Sequence, residues 1–95
     1  MNSKEILKKI EENRESLKKK KVKRIGLFGS YLKGRQNKNS DIDFIVDFEE
    51  ITFEDYMGLL FFLKKLLKRK IDLVIEKDLK PELNYIKKEA EYVKI

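Results

Sequence analysis

Three aspartates and one glycine–serine pair carry the chemistry this sequence can do. Asp41 and Asp43 stand two apart in the alternating segment DIDFIVDF, Asp41 to Phe48. In an extended strand, residues i and i+2 face one side about 6.6 Å apart, so both carboxylates project together. Asp72 is the sole polar residue in IDLVI, Ile71 to Ile75, and aspartate is depleted in strands. If the two strands pair, their backbones lie about 4.8 Å apart and Asp72 joins the other two acids. Gly29-Ser30 closes an apolar run. Glycine lets backbone approach a ligand closely, and amides opening a helical turn, with the Ser30 hydroxyl, bind phosphate. Each feature alone has a plainer reading: an ordinary turn, a solvated strand face, an exposed position on an edge strand. Together they point to one site. Clustered carboxylates repel and are driven to protonate unless a cation stands among them. With no Cys and no His in the chain, the matching cation is hard, Mg²⁺ or Mn²⁺. Two such ions about 3.5–4 Å apart clamp the attacking and leaving oxygens of an in-line displacement at phosphorus.

The elements that must hold these groups follow from periodicity. Ile6, Leu7, Ile10 and Leu17 recur near the helical period, predicting a helix from Ser3, as N-cap, to about Lys20. The lysine run Lys18 to Lys21 ends it as a cationic C-terminus, in preference to an anion-binding patch. Val22 to Phe28 reads as a strand, Tyr31 to Arg35 as a short helix and Gln36 to Ser40 as a loop. Asp41 to Phe48 is the second strand, with Ile42, Phe44, Val46 and Phe48 inward and Asp41, Asp43, Ile45 and Asp47 outward. Thr52, with Asp55 three residues on, opens a helix that is apolar over a wide arc, from Phe53 to Leu67. Such a helix is central to the core or covered by a partner. Ile71 to Ile75 is the third strand. Pro81 starts a last helix with an apolar stripe of Leu83, Ile86, Ala90 and Val93. The order predicts an α/β (α+β) fold, a small mixed sheet of about three strands flanked by helices.

The chain has 95 residues, 23 Lys+Arg against 17 Asp+Glu, and a net charge of +6. One domain spanning 1–95 is expected, since a second core would lack apolar material. Without Cys or His there is no disulfide, thiolate nucleophile, Cys/His zinc site or His general base. The apolar run Leu59 to Leu63 is far short of the roughly 20 residues that span a bilayer. The charged N-terminal segment has no signal-peptide core. These features predict a cytoplasmic protein without membrane contact. Nucleic-acid binding is permitted by the charge, yet no helix-turn-helix, zinc or RNP-like motif is present.

Gly29-Ser30, ten intervening residues and then Asp41-x-Asp43 resemble the signature of the polymerase-β-type nucleotidyltransferase superfamily. The string GSYLKGRQNKNSDIDFIV is similar to its minimal members, the MNT proteins, and Asp72 matches the place of their third carboxylate. The resemblance covers about residues 22 to 93. Where the family often has a small residue and arginine, this chain has Leu32 and Lys33; lysine keeps the charge without the bidentate fork. The resemblance implies a nucleotidyltransferase fold. It implies Mg²⁺ (two ions, or Mn²⁺) on Asp41, Asp43 and Asp72, and ATP with its phosphates at Gly29 and Ser30 and at Lys33 or, alternatively, Arg35. It also implies AMP transfer to a tyrosine of a partner HEPN toxin, so that the protein is the antitoxin of a toxin–antitoxin pair. The alternatives are an antitoxin that neutralises its partner by binding alone and, as in other branches of the superfamily, transfer to a small-molecule hydroxyl. The apolar Phe53–Leu67 segment suits a hetero- or homo-oligomer.

Overall fold

The computed structural model describes all residues, 1–95. Helix α1, Ser3–Glu12, is followed by α2, Arg14–Lys19, then β1, Val22–Phe28, and α3, Gly29–Lys33. Strand β2, Ile42–Phe48, leads through α4, Phe53–Leu67, to β3, Ile71–Ile75. Two 3₁₀ turns, Glu76–Asp78 and Pro81–Leu83, precede α5, Tyr85–Glu89, and β4, Glu91–Lys94. The sheet order is β3-β2-β1-β4. β2 and β3 run parallel across the α4 crossover, and β1 lies antiparallel to β2 and β4.

One face of the sheet makes the main core. Ile25 and Leu27 of β1, Phe44 and Val46 of β2, Leu73 of β3 and Val93 of β4 bury there with Ile6, Ile10 and Leu17 of the first two helices and Leu59, Leu63 and Leu67 of α4. Leu59, Leu63 and Leu67 follow one another at four-residue spacing, so one stripe of α4 supplies its share. Phe53 and Phe61, off that stripe, are 78% and 60% exposed. The wide apolar arc therefore divides into a core stripe and an open one. Thr52 caps the helix by accepting from the Asp55 amide at 3.0 Å.

The first and last predicted helices are both corrected. The first helix breaks at Asn13, whose Nδ2 donates to the Lys9 carbonyl at 2.7 Å. A side chain that competes for backbone groups interrupts the helical ladder. Its N-cap is Asn2 rather than Ser3: Asn2 Oδ1 accepts from the Glu5 amide and Glu5 Oε1 from the Asn2 amide, a complete capping box. The predicted last helix is cut back at both ends: Pro81 opens a 3₁₀ turn, α5 spans only Tyr85–Glu89, and Glu91–Lys94 forms a fourth strand. Ile86, Ala90 and Val93 fit a helical stripe, but β1 has an open edge whose backbone groups need partners. Pairing from Arg24↔Lys94 to Leu27↔Glu91 satisfies them.

The second sheet face is not wholly solvated either. Ile45, expected outward with the aspartates, is fully buried. It converges on Gly26 with Ala90 and Tyr92: a Cβ at Gly26 would stand 3.0 Å from the Tyr92 ring and 3.1 Å from Ala90 and Ile45. No helix is long and apolar enough to cross a membrane.

Candidate active site

The aspartates lie on this second face. Strand pairing sets Phe28 opposite Asp43 and Asp43 opposite Asp72, a row across three strands. The two acids are therefore neighbours because β2 and β3 are parallel in this register. Asp41 sits one residue before β2 begins, at its exposed end. Gly29 follows Phe28 in a left-handed conformation, φ +76°. A Cβ there would overlap Asp43 Oδ2 and stand 2.9 Å from its Cγ. Only glycine lets the chain turn this tightly against that carboxylate.

Asp43 is half-buried, while Asp41 and Asp72 are exposed. Burial pushes the Asp43 carboxyl up from 3.8 to about 6, aided by the charge of Asp72, a hydrogen bond with it, and the charge of Asp41. All three acids thus share one electrostatic environment. They do not form a closed cage, since no three acids stand at metal-ligating separations. An open arrangement suits magnesium, which commonly keeps one or two carboxylates and takes substrate phosphates for the rest. The donors are hard oxygens with no imidazole or thiolate among them, and their mutual repulsion is what a divalent cation relieves. The residues fit the ion that the sequence implies.

Of the other expected residues, Gly29 and Ser30 open α3 directly beside Asp43, and both are half-buried. The helix starts at Gly29 rather than at Tyr31 and ends at Lys33, leaving Arg35 outside it. Lys33 occupies the far end of α3, its Nζ 3.5 Å from Glu89 Oε2. The structure brings Gly29, Ser30, Asp43 and Asp72 together, with Asp41 at the rim, and gives Lys33 a different partner.

A second polar group on this face was missed in the sequence. Glu76 is buried and accepts from Arg24 Nη2 and from the Tyr92 hydroxyl, the latter at 3.3 Å. The Arg24 guanidinium stacks 4.3 Å from the centre of the Tyr92 ring. Its hydrogen bond to Glu76 holds Arg24 protonated, and burial, then Glu76, raises Tyr92. The available signal was period two: Asp72, Val74 and Glu76 continue one face past the end of β3. A groove of about 400 Å³ is lined by Ile51, Thr52, Phe53, Tyr56, Leu73, Ile75 and Asp78. Leu73 and Ile75 alternate away from Asp72, so this groove is not the aspartate site.

A mixed sheet that lines up a glycine–serine turn and aspartates from two parallel strands is the architecture of a nucleotidyltransferase. The chain belongs to the nucleotidyltransferase-domain family, whose model matches residues 7–95. It is similar to a Methanocaldococcus jannaschii protein provisionally assigned as a protein adenylyltransferase, 44% identical over 92 residues, covering 93% of this chain and 87% of that one. A solved structure provisionally assigned as a minimal nucleotidyltransferase superposes with a TM-score of 0.83 at 30% identity, covering 96% of this chain and 95% of that one. A toxin–antitoxin complex solved with AMP-PNP contains a chain with a TM-score of 0.68 at 28% identity, covering 97% of this chain and 72% of that one. The chain is a nucleotidyltransferase of the minimal type.

Proposed function

We propose that this protein transfers AMP from ATP to a tyrosine hydroxyl of a partner HEPN toxin and acts as the antitoxin of that pair. The observation that carries the reading is Asp43, paired beside Asp72 across β2 and β3 and pressed against Gly29, a glycine that admits no side chain. The backbone amides of Gly29 and Ser30 and the Ser30 hydroxyl hold the β- and γ-phosphates. Lys33 contacts phosphate on exchanging its present Glu89 partner. Asp41, Asp43 and Asp72 hold Mg²⁺, which when bound offsets charge on the α-phosphate and on the departing pyrophosphate. Asp72, on the edge strand β3, is on the acceptor side. It orients the tyrosine hydroxyl and accepts its proton as the oxygen bonds to the α-phosphorus. The bond from that phosphorus to the bridging oxygen breaks, and pyrophosphate leaves with the electron pair. The names of the relatives, one provisionally assigned as a protein adenylyltransferase and one a toxin–antitoxin chain crystallised with an ATP analogue, support both the donor and the kind of acceptor.

The test is incubation of source-cell extract with Mg²⁺ and ATP labelled on the α-phosphate. Wild type is expected to label one protein band, and Asp41→Asn/Asp43→Asn to label none. Full transfer by Asp43→Asn would overturn the assignment. A second reading, neutralisation by occlusion, is favoured by one observation: Phe53 and Phe61 stand exposed on α4. A partner retained in pull-down without a labelled band would select it.

A further inference from the structure

Beyond the start of β2 and β3, at the end of the sheet that carries the aspartates, lies a cleft of about 370 Å³. It is lined by Lys38, Asn39, Ser40, Lys68, Arg69 and Lys70, with no acid and no apolar residue. All four cations are exposed, and none belongs to either of the protein's ion pairs, Arg24–Glu76 and Lys33–Glu89.

Two loops build the cleft. In the first, the Asn37 amide donates to Ser40 Oγ at 3.0 Å and the Asn39 amide to Asn37 Oδ1 at 2.8 Å, which fixes the turn carrying Lys38. In the second, Lys68 caps α4 in a left-handed conformation, φ +54°, where glycine or asparagine is less strained. The loops are tied by the Ile42 amide, which donates to the Lys70 carbonyl at 2.9 Å. Cations at a helix C-terminus have an ordinary explanation in the macrodipole, and Lys64 and Lys65 in the last turn of α4 serve it. Lys38 arrives from a different loop and has no helix terminus to complement.

Position defines what the cleft faces. Lys70 immediately precedes β3, two residues before Asp72, so the cleft adjoins the end of the strand that carries that acid. The Gly29–Ser30 turn lies on the β1 side of Asp43, whereas this cleft adjoins β3, the opposite edge. A triphosphate held at Gly29 and Ser30 leaves the β3 side to the acceptor. We infer that the cleft recognises acidic side chains flanking the acceptor hydroxyl on the partner protein. This rests on the transfer reading above for its orientation. The charge complementarity does two things. It attracts an acidic segment to a cationic rim, and it sets that segment beside three aspartates that would otherwise repel it. It therefore selects among exposed tyrosines by their neighbours.

The experiment uses a fluorescent peptide with one tyrosine flanked by glutamates and the same peptide with glutamines. Binding to the full chain is measured without nucleotide, and transfer from labelled ATP is measured separately. The acidic peptide is expected to bind wild type, to weaken as salt rises, and to weaken by about tenfold in Lys38→Gln/Arg69→Gln/Lys70→Gln. Lys18→Gln/Lys19→Gln, a basic pair elsewhere, is expected to bind as wild type does. In the transfer arm, the triple variant raises KM for the peptide while KM for ATP does not follow. Binding that depends on the three cations supports the cleft even where no label is transferred, an outcome that counts against the transfer reading alone. Equal binding of the two peptides, or unchanged binding by the triple variant, overturns the inference. A raised KM for ATP overturns it in favour of a triphosphate site. Displacement of the acidic peptide by an RNA oligonucleotide of equal charge that binds more tightly overturns it in favour of nucleic acid.

Discussion

At Asp43 the proposed metal-holding role and the stability of the fold oppose each other. In the folded protein its carboxyl titrates at about 6 against an ordinary 3.8, with burial as the largest cause. Between those values the folded protein binds more protons than the unfolded chain. The stability contributed by this group is therefore complete below about 3.8 and lost as pH rises through about 6. Asparagine has the same shape and cannot ionise. In chelator, Asp43→Asn is expected to melt above wild type at about pH 8, with the gap closing as pH falls below the Asp43 titration. Paired thermal melts across pH check this. A gap that is constant with pH, or one that favours wild type at high pH, would show that Asp43 is not held under repulsion. The acid pattern itself was readable from residues, since period-two spacing put Asp41 with Asp43 and the lone polar position put Asp72 beside them. The Asp43–Gly29 contact was not, because it depends on the φ of Gly29 and on the pairing of β1 with β2. Glu76 escaped for a related reason: its partners Arg24 and Tyr92 come from β1 and β4, remote in sequence.

Elements were legible where one period excluded the other. β1 and β3 were delimited to the residue, and α4 opens at Thr52 as its cap predicts. The C-terminal segment was illegible because Ile86, Ala90 and Val93 satisfy a helical spacing while the strand that Val93 joins is only four residues long. Tertiary pairing with the open edge of β1 decided between them. On α4 the sequence showed an arc too wide for one stripe, and the structure leaves Phe53 and Phe61 outside the core. Substituting an exposed aromatic removes no core contact, so Phe61→Glu is expected to change stability by no more than about 0.5 kcal/mol. Truncating the core stripe instead, as in Leu63→Ala, is expected to cost about 2–5 kcal/mol. If the open stripe is the partner's docking face, Phe61→Glu loses the partner in pull-down while its melt matches wild type. Partner retention by Phe61→Glu would move the docking face elsewhere.

At the scale of the whole molecule, a chain of 95 residues has one modest core, a cluster of 16 buried side chains. A domain of this size has only a small net stability, so repulsion among three acids is a measurable fraction of the total. Whatever relieves that repulsion in the folded state alone must stabilise the entire fold, because the unfolded chain does not hold the acids together. Mg²⁺ is the relieving ligand expected here. At a concentration about 100 times its dissociation constant it contributes about 2.7 kcal/mol. Each kcal/mol raises the melting temperature of a domain this small by about 4–8 °C. Thermal melts in chelator and in graded Mg²⁺, without nucleotide and then with AMP-PNP, are expected to show a rise with the metal and a further rise with the nucleotide. Asp43→Asn starts higher in chelator, since its repulsion is already gone, and gains less from Mg²⁺. The two curves therefore converge as the metal is raised. A wild-type melt that ignores Mg²⁺ both with and without the nucleotide would separate the acid row from metal binding and leave its repulsion unrelieved.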